Sequence, residues 1–376
     1  MPFSDPPLLH DSPARRRHFV LLHIDWPLLV ALLLLAGMGL IILYSASGQN
    51  MAVIQAQGLR VLLAFFIMLL LAQIAPYGIQ FWSPWLYGLG LLLLLAVLIM
   101  GEIGKGAQRW LDLGFLTFQP SEIMKLAVPM MIAWYFAEAP LPANRKRLLI
   151  AGVLLVIPTL LVAKQPDLGT SLLIASSGIF VLLLAGLSLR FISIFLFIIL
   201  ASTPLVWNYL LHDYQRQRIL TFINPENDPL GAGYHIIQST IAIGSGGIYG
   251  KGWLNGTQSH LDFIPERSTD FIFAVFSEEF GFLGVLILIS LYSFIIARGL
   301  IIASQAQDTY GRLLAGSITL TFFVYVFVNI GMVSGILPVV GVPLPLISYG
   351  GTSVVTLLAG FGILMSIHTH RKLMPT

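Results

Sequence analysis

The chain has no cysteine among its 376 residues. That excludes disulfide frameworks, thiolate metal sites, iron–sulfur clusters and cysteine nucleophiles. Charge is scarce too. Asp, Glu, Lys and Arg together make up 10% of the sequence, against about 25% in soluble domains. Apolar residues fill the space: 57% of positions are hydrophobic, and the mean hydropathy is +0.88. A soluble enzyme, a disordered chain and a nucleic-acid-binding domain are incompatible with that balance. The net charge of +3 arises from 20 basic and 17 acidic side chains. With so few charges, their positions matter more than their sum.

A hydrocarbon core about 30 Å thick needs roughly 20 apolar residues per helix. Such runs occur at 26–46, 53–75, 78–99, 120–138, 147–164, 168–187, 190–209, 271–299, 310–333 and 346–367. The sequence therefore predicts an all-α polytopic membrane protein with about ten transmembrane helices. A polar stretch, 101–119, separates the third span from the fourth. A longer segment, 210–270, is too polar to span and separates the seventh from the eighth. The expected organisation is a cytoplasmic tail (1–25), a single transmembrane domain (26–370) that includes the extracytoplasmic loop 210–270, and a second cytoplasmic tail (371–376).

Basic residues set the orientation. Arg15, Arg16 and Arg17 precede the first span, and Arg145, Lys146 and Arg147 lie between the fourth and fifth. Arg190, Arg298, Arg312, Arg371 and Lys372 fall on the same side of a ten-span chain. That side is the cytoplasm, and both termini face it. The outward segments nevertheless carry Lys105, Arg109, Arg216, Arg218, Lys251 and Arg267. Long loops translocate regardless of charge, so these cations have a bland reading. Their neighbours are aromatics, glycines and carboxylates, which favours an anionic ligand on the outer face.

Charges inside spans are costly and mark functional sites by default. Gln119-Pro120-Ser121-Glu122-Ile123-Met124-Lys125 opens the fourth span with proline in the first turn, where its missing N–H costs nothing. Glu122 and Lys125 are three residues apart and share a helix face. They form either a structural ion pair or a substrate contact. Lys164-Gln165-Pro166-Asp167 repeats the device, with Asp167 as a helix cap or a carboxylate kept ionised by the helix dipole. Asp270 opens the eighth span, where Ser268 or Thr269 would already serve as a cap, so a carboxylate there points to function. Glu278 and Glu279, two turns deeper, suit interhelical hydrogen bonds. Leu337 to Ser353 carries Pro338, Pro343, Pro345 and the pair Gly350-Gly351. It is either the wall of a cavity or a proline-rich loop outside the lipid. Gly244, Gly246, Gly247, Gly250 and Gly252 surround Lys251, a composition that can cradle phosphate, although the spacing is not that of a nucleotide P-loop. The eight histidines show no metal-ligand spacing.

Several stretches are specific enough to carry a resemblance. Tyr234-His235-Ile236-Ile237-Gln238-Ser239, Gly250-Lys251-Gly252-Trp253, Phe263-Ile264-Pro265-Glu266-Arg267, Thr269-Asp270-Phe271-Ile272-Phe273-Ala274 and Leu337 through Ser353 are similar to the SEDS family of polytopic membrane proteins. Pro265-Glu266-Arg267 and Val339-Val340-Gly341-Val342-Pro343-Leu344-Pro345 resemble its rod-shape branch more than its division branch. Ser268 departs from the histidine usual there, which puts any histidine role at that position in doubt. The resemblance implies a peptidoglycan glycosyltransferase that polymerises lipid II on the outer face of the bacterial inner membrane during elongation. It further implies a class B penicillin-binding protein as transpeptidase partner. The family's essential aspartate falls on Asp270, its ion pair on Glu122 and Lys125, and its second acidic position on Asp167.

The residues suit that chemistry. A lipid-linked disaccharide pyrophosphate brings its own leaving group, so one base suffices to take the acceptor's hydroxyl proton. Displacement at the anomeric carbon in one step inverts configuration. Asp270 is expected as base or metal-coordinating carboxylate, with Asp167 nearby. Arg109, Arg216, Arg218, Lys251 and Arg267 are expected to contact phosphate and sugar. A divalent cation, Mg²⁺ or Mn²⁺, would help carry the charge of the departing pyrophosphate. The alternative is a lipid II flippase, since intramembrane charges and broken helices also mark transporters. Against it, the cations lie on the outer side and no inverted repeat is present. A noncatalytic scaffold would explain neither Asp270 nor the cations.

Overall fold

The computed structural model describes residues 23–104, 107–112, 117–138, 140–165, 167–188, 232–260 and 266–370, with isolated positions between 190 and 221. The expected span 190–209 falls largely outside the described residues. Lys105, Arg218, the arginines at 15–17 and the basic pair at 371–372 lie outside them altogether.

Seven described helices are long and apolar enough to cross a membrane. They are α1 (Trp26–Ala46), α2 (Met51–Gln73), α3 (Pro76–Met100), α5 (Arg145–Lys164), α9 (Ile272–Ser304), α10 (Thr309–Val333) and α11 (Thr352–Thr369). Two shorter helices, α4 (Pro120–Phe136) and α6 (Leu168–Leu184), take the fourth and sixth expected places. Their starts follow local chemistry. Asp25, Asn50, Asn144, Asp167 and Asp308 accept backbone N–H groups as N-caps of α1, α2, α5, α6 and α10. Prolines open α3 and α4. α10 is central and packs against α4, α6, α9 and α11. Outside the membrane helices, the polar stretch after α3 folds into a small antiparallel sheet. It comprises β1 (Glu102–Gly104), β2 (Ala107–Asp112) and β3 (Thr117–Phe118), in the order β1-β2-β3.

α9 has 33 residues, about 50 Å of helix where roughly 30 Å of hydrocarbon must be crossed. It breaks at Gly281, whose φ is +62°, a conformation that suits glycine. The break would orphan four backbone groups, and the segment after α7 (Ala232–Ser245) takes them up. The N–H groups of Phe282 and Leu283 donate to the carbonyls of Gly247 and Ile248 (2.9 and 3.1 Å). The carbonyls of Glu278 and Glu279 accept from Lys251 and Gly252 N–H (both 3.0 Å). A Cβ at Gly250 or Gly281 would fall on the opposing backbone. The glycine-rich stretch thus splints a broken helix. Its amides at 251 and 252 point into the protein and form no phosphate cradle. α8 (Thr257–His260) closes the same loop.

The segment after α10 is the second irregular element. Residues 338–344 have no regular structure, yet Val342, Leu344, Leu346, Ile347 and Ser348 are buried. The Tyr292 hydroxyl of α9 donates to the Pro345 carbonyl at 2.7 Å. Of the two readings open from sequence, the cavity wall holds for its end, where Tyr349, Gly350, Gly351 and Thr352 line a cavity. Before it, the irregular backbone at 344–348 is enclosed by protein, while Gly341 is exposed.

The opposite end of the bundle is closed by charge. The buried carboxylate of Asp25 accepts two bonds from Arg298 Nε (3.1 Å) and Nη2 (2.7 Å), and His368 Nδ1 lies 3.0 Å away. α1, α9 and α11 are pinned together there. Burial pushes the Asp25 carboxyl up, but the bonds from His368, Arg298 and the Leu28 N–H outweigh it and hold the pKa at about 2. A carboxyl depressed below its ordinary 3.8 stabilises the fold above that value and loses its contribution as pH falls towards 2. Asp25→Asn should therefore cost about 1.5–3 kcal/mol at neutral pH. Thermal unfolding of solubilised wild type and variant should show a gap that closes between about pH 4 and pH 2. A gap that stays constant over that range would remove the ionised carboxylate from this role.

Candidate functional site

Asp270 ends a turn, residues 266–270, that leads into α9. No side chain caps α9, whose N-cap is Phe271. Of the two expected caps, Thr269 is engaged elsewhere: its Oγ1 donates to the Glu266 carbonyl (3.1 Å) and carboxylate (2.9 Å). The turn is held from the C-terminal third of the chain. Tyr349 N–H donates to the Ser268 carbonyl at 2.8 Å. Ser348 Oγ donates to the Thr269 carbonyl at 2.6 Å and accepts the Leu344 N–H at 2.8 Å. Asn329 Nδ2, from α10, donates to the carbonyls of Asp270 (2.9 Å) and Val342 (2.7 Å). The Asp270 carboxylate lies against Gly341: a Cβ built there, at φ +75°, would sit 3.5 Å from Oδ2.

Asp167 lies at the start of α6, the helix whose first turn meets the same loop. It caps α6 through the Thr170 N–H (3.2 Å) and accepts Gln119 Nε2 at 3.0 Å. Two residues on, a Cβ at Gly169 would meet the Val340 carbonyl at 2.7 Å. The start of α6, which Asp167 caps, therefore meets Val340 while Asp270 lies against Gly341, and Gln119 ties the start of α4 to that of α6.

Glu122 and Lys125 are in contact, Oε1 to Nζ at 2.7 Å, and both are buried. A third partner was not legible in the spacing. Tyr325 of α10 places its hydroxyl 2.6 Å from Lys125 Nζ. The ammonium thus joins α4 to the central helix, one turn from Asn329.

A cavity of about 890 Å³ opens between α2, α3, α4 and α11, within the 300–1,000 Å³ typical of ligand sites. Its walls are largely aliphatic, from Leu63, Ile67 and Leu71 to Ile123 and Met130, with Trp82 and Trp110. Its polar end is Arg60, Tyr349, Gly350, Gly351 and Thr352. The Arg60 guanidinium carbon lies 4.8 Å from the centre of the Tyr349 ring. Nine residues into α2, Arg60 sits about 13 Å along the helix, a costly depth for a cation in lipid. Among the described residues, no carboxylate lies within ion-pair distance of it. Tyr349 links cavity to turn, since its N–H holds Ser268 and its ring faces Arg60.

The other expected cations are placed differently. Lys251 Nζ bonds Glu278 and Thr257, both at 2.7 Å, and the Glu278 carboxylate also accepts the Gln258 N–H at 2.9 Å. The lysine clamps the splinting loop onto α9. Ser45 of α1 donates to Glu279, so both glutamates make the structural bonds expected of them. Arg267 directs its guanidinium towards Gly48, in the turn between α1 and α2. Arg109 lies in β2, next to Trp110. Arg216 is a partly buried isolated position. Among the described residues, no three of His, Asp and Glu converge as a metal cage.

A sequence model of the cell cycle proteins FtsW, RodA and SpoVE matches residues 26–373. The chain belongs to this family. It is 55% identical to the peptidoglycan glycosyltransferase MrdB of Escherichia coli K12 over 364 residues, 97% of this chain and 98% of that one. Among solved structures, a peptidoglycan synthase complex, described as coordinating polymerization and crosslinking, contains a chain 33% identical. The match covers 93% of this chain and 99% of that one, with a TM-score of 0.80. The rod shape determining protein RodA of Thermus thermophilus matches at 27% identity over 93% of this chain and 98% of its own, with a TM-score of 0.71. Like these FtsW/RodA/SpoVE structures, the protein is an α-helical, multi-pass membrane protein.

Removing one member of the Glu122–Lys125 pair strands a buried charge, at a cost of about 3–5 kcal/mol. Glu122→Ala and Lys125→Ala should each unfold at clearly lower temperature. The exchanged double variant, Glu122→Lys with Lys125→Glu, should recover part of the loss. A Glu122→Ala protein as stable as wild type, but weaker in substrate binding, would place the pair in the substrate site instead.

Proposed function

We propose that the chain is a peptidoglycan glycosyltransferase of cell elongation, polymerising lipid II at the extracytoplasmic face of the bacterial inner membrane with both termini in the cytoplasm. The observation that carries this reading is the joining of two halves. A long apolar cavity with one cation at its polar end suits a polyprenyl chain and its pyrophosphate. Tyr349 connects that end, through one backbone bond, to the turn bearing Asp270. The family relationship supplies the reaction class.

In this reading Asp270 takes the proton from the acceptor's sugar hydroxyl. The freed oxygen attacks the donor's anomeric carbon, and a C–O bond forms on the face opposite the departing pyrophosphate. The C–O bond to the phosphate breaks, its electron pair leaves with the pyrophosphate, and configuration inverts. Asp167, capping the helix that meets Val340, supports the same pocket. Arg60 holds the phosphate end of the lipid, with Arg109, Arg216, Arg218 and Arg267 as further outward contacts for phosphate and sugar. Lys251 contributes chiefly by fixing the loop at 247–252. A divalent cation fits on the chemistry of the donor set. Mg²⁺ is commonly held by one or two carboxylates, with waters and substrate phosphates completing the shell, and Asp270 supplies such a carboxylate. When bound, the cation would offset charge on the leaving pyrophosphate.

The test is glycan-strand yield and length from lipid II, using the full chain with its transpeptidase partner. Asp270→Asn keeps shape and loses charge. It should lower the rate by about 10²–10⁴, while expression and partner binding persist. Arg60→Gln should chiefly raise KM for lipid II. Polymerisation by Asp270→Asn within a few-fold of wild type would remove Asp270 and make Asp167 the acid to test next. Liposomes with lipid II on one leaflet separate the flippase alternative, which predicts lipid translocation without polymer.

The partner in this reading is a class B penicillin-binding protein, within the elongation machinery. Its membrane helix would lie against α9 and α10, where Leu283, Leu286, Ile287, Phe323 and Phe327 are exposed. Cysteine crosslinking along both helices should map to that face. Crosslinks confined to α1, α2 and α3 would refute the location.

A further inference from the structure

Three consecutive carbonyls lead to the Asp270 side chain, and each is claimed by a different donor. Ser268 O accepts from Tyr349 N–H, Thr269 O from Ser348 Oγ, and Asp270 O from Asn329 Nδ2. Only the last of these donors comes from a continuous helix. Asn329 is fully buried in α10, the central helix, which packs on α4, α6, α7, α9 and α11. Its amide uses both N–H groups, on Asp270 O at 2.9 Å and on Val342 O at 2.7 Å. Two carbonyl acceptors leave no freedom in the amide's orientation, because the oxygen end would repel both. Asn329 Oδ1 has no hydrogen-bond partner among the described residues, so the side chain accepts an unmet polar group in order to make those two donations. Leaving a buried acceptor unpaired is costly. Helix stability alone does not call for that arrangement.

The two carbonyls lie on the two backbones that face each other across the Asp270 carboxylate. One is Asp270 itself. The other belongs to Val342, next to Gly341, against which Asp270 Oδ2 lies. Bridging both from one rigid point fixes how far the carboxylate stands from the 338–343 loop and in which direction it projects. We propose that Asn329 is a positioning residue for Asp270: it sets the carboxylate's place relative to the substrate and touches no substrate atom. This rests on the reading of Asp270 as the base or metal-coordinating carboxylate. A misplacement of about 1 Å can cost on the order of 10²-fold in rate. The effect should fall on kcat, because the lipid-binding cavity around Arg60 is lined by other residues.

The experiment uses the full chain with its transpeptidase partner and lipid II. Asn329→Leu keeps approximate volume and removes both donors. Asn329→Ser keeps one donor with shorter reach. The expected result, measured at a temperature where every variant is folded, is a loss of about 10²-fold in kcat for Asn329→Leu, with KM for lipid II within about twofold and a smaller loss for Asn329→Ser. The carbonyls left unpaired should also lower the unfolding temperature. Combining Asn329→Leu with Asp270→Asn should cost no more than Asp270→Asn alone, since both act on one carboxylate. The inference is overturned if Asn329→Leu keeps kcat within threefold of wild type. It is equally overturned if its loss adds fully to that of Asp270→Asn, or if KM for lipid II rises as much as kcat falls in both Asn329 variants, which would make the role one of general structure. An inactive Asp270→Asn beside a fully active Asn329→Leu defeats this inference alone. An active Asp270→Asn defeats the reading of Asp270 on which it stands.

Discussion

Backbone polar groups in lipid must find partners within the protein, and the architecture turns on how α9 meets that demand. A helix that breaks at Gly281 loses two bonds of its own ladder. The loop at 247–252 returns four, two donated and two accepted. The exchange needs the loop backbone within hydrogen-bond distance of helix backbone, which Gly250 and Gly281 permit. Glu278 then anchors the loop by accepting from Lys251, Thr257 and the Gln258 N–H. The outcome is a first segment of α9, 272–280, held by the loop, while 282–304 is long enough to cross the bilayer. Asp270 sits just before that first segment.

The same demand shapes the second irregular element. Residues 338–349 enter the bundle without helix, and two of their carbonyls are met by side chains from α9 and α10: Tyr292 donates to Pro345 and Asn329 to Val342. Ser348, within the segment, donates in turn to the Thr269 carbonyl. Tyr292 and Asn329 are polar residues inside otherwise apolar helices, and one of them, Asn329, also holds the backbone of Asp270. The irregular backbone therefore gives the site its shape and also the donors that hold it.

Much of this was legible in the sequence, for identifiable reasons. Span positions follow from run length and apolarity, which are local properties. Helix starts at Pro120 and Asp167 follow from caps and first-turn proline. The Glu122–Lys125 contact follows from i,i+3 spacing. Other features are invisible to local reading. Asp25 meets Arg298 across 273 positions, and Lys125 meets Tyr325 across 200. Arg60 is a single charge in an apolar run, diluted by its neighbours, and was missed, although the cost of burying a cation within a span is the signal that could have found it. The glycines around Lys251 suggested an anion cradle because close backbone approach has the same signature whether phosphate or helix is approaching. Ser268 and Thr269 suited a cap at α9, but their groups were drawn into the turn and to residues 348 and 349.

The distribution of buried bonds also bears on how such a site works. At one end of the bundle Asp25 locks α1, α9 and α11. Near the other, Asn329, Ser348 and Tyr292 cross-link α10, α9 and the 338–349 segment. Each buried hydrogen bond that loses its partner costs about 1–3 kcal/mol, more where a charge is involved. A carrier that exposes its site to both faces in turn would have to break one of these sets and then the other in every cycle, and replace the bonds lost. A polymerase working on one face keeps both sets throughout. On the proposed reading it would need movement only where the lipid enters, along the apolar cavity walled by α2, α3, α4 and α11, where contacts are nonpolar and sliding breaks no hydrogen bond. The hydrogen-bonded part of the structure would then coincide with the carboxylate to be aimed, and the nonpolar part with the chain to pass.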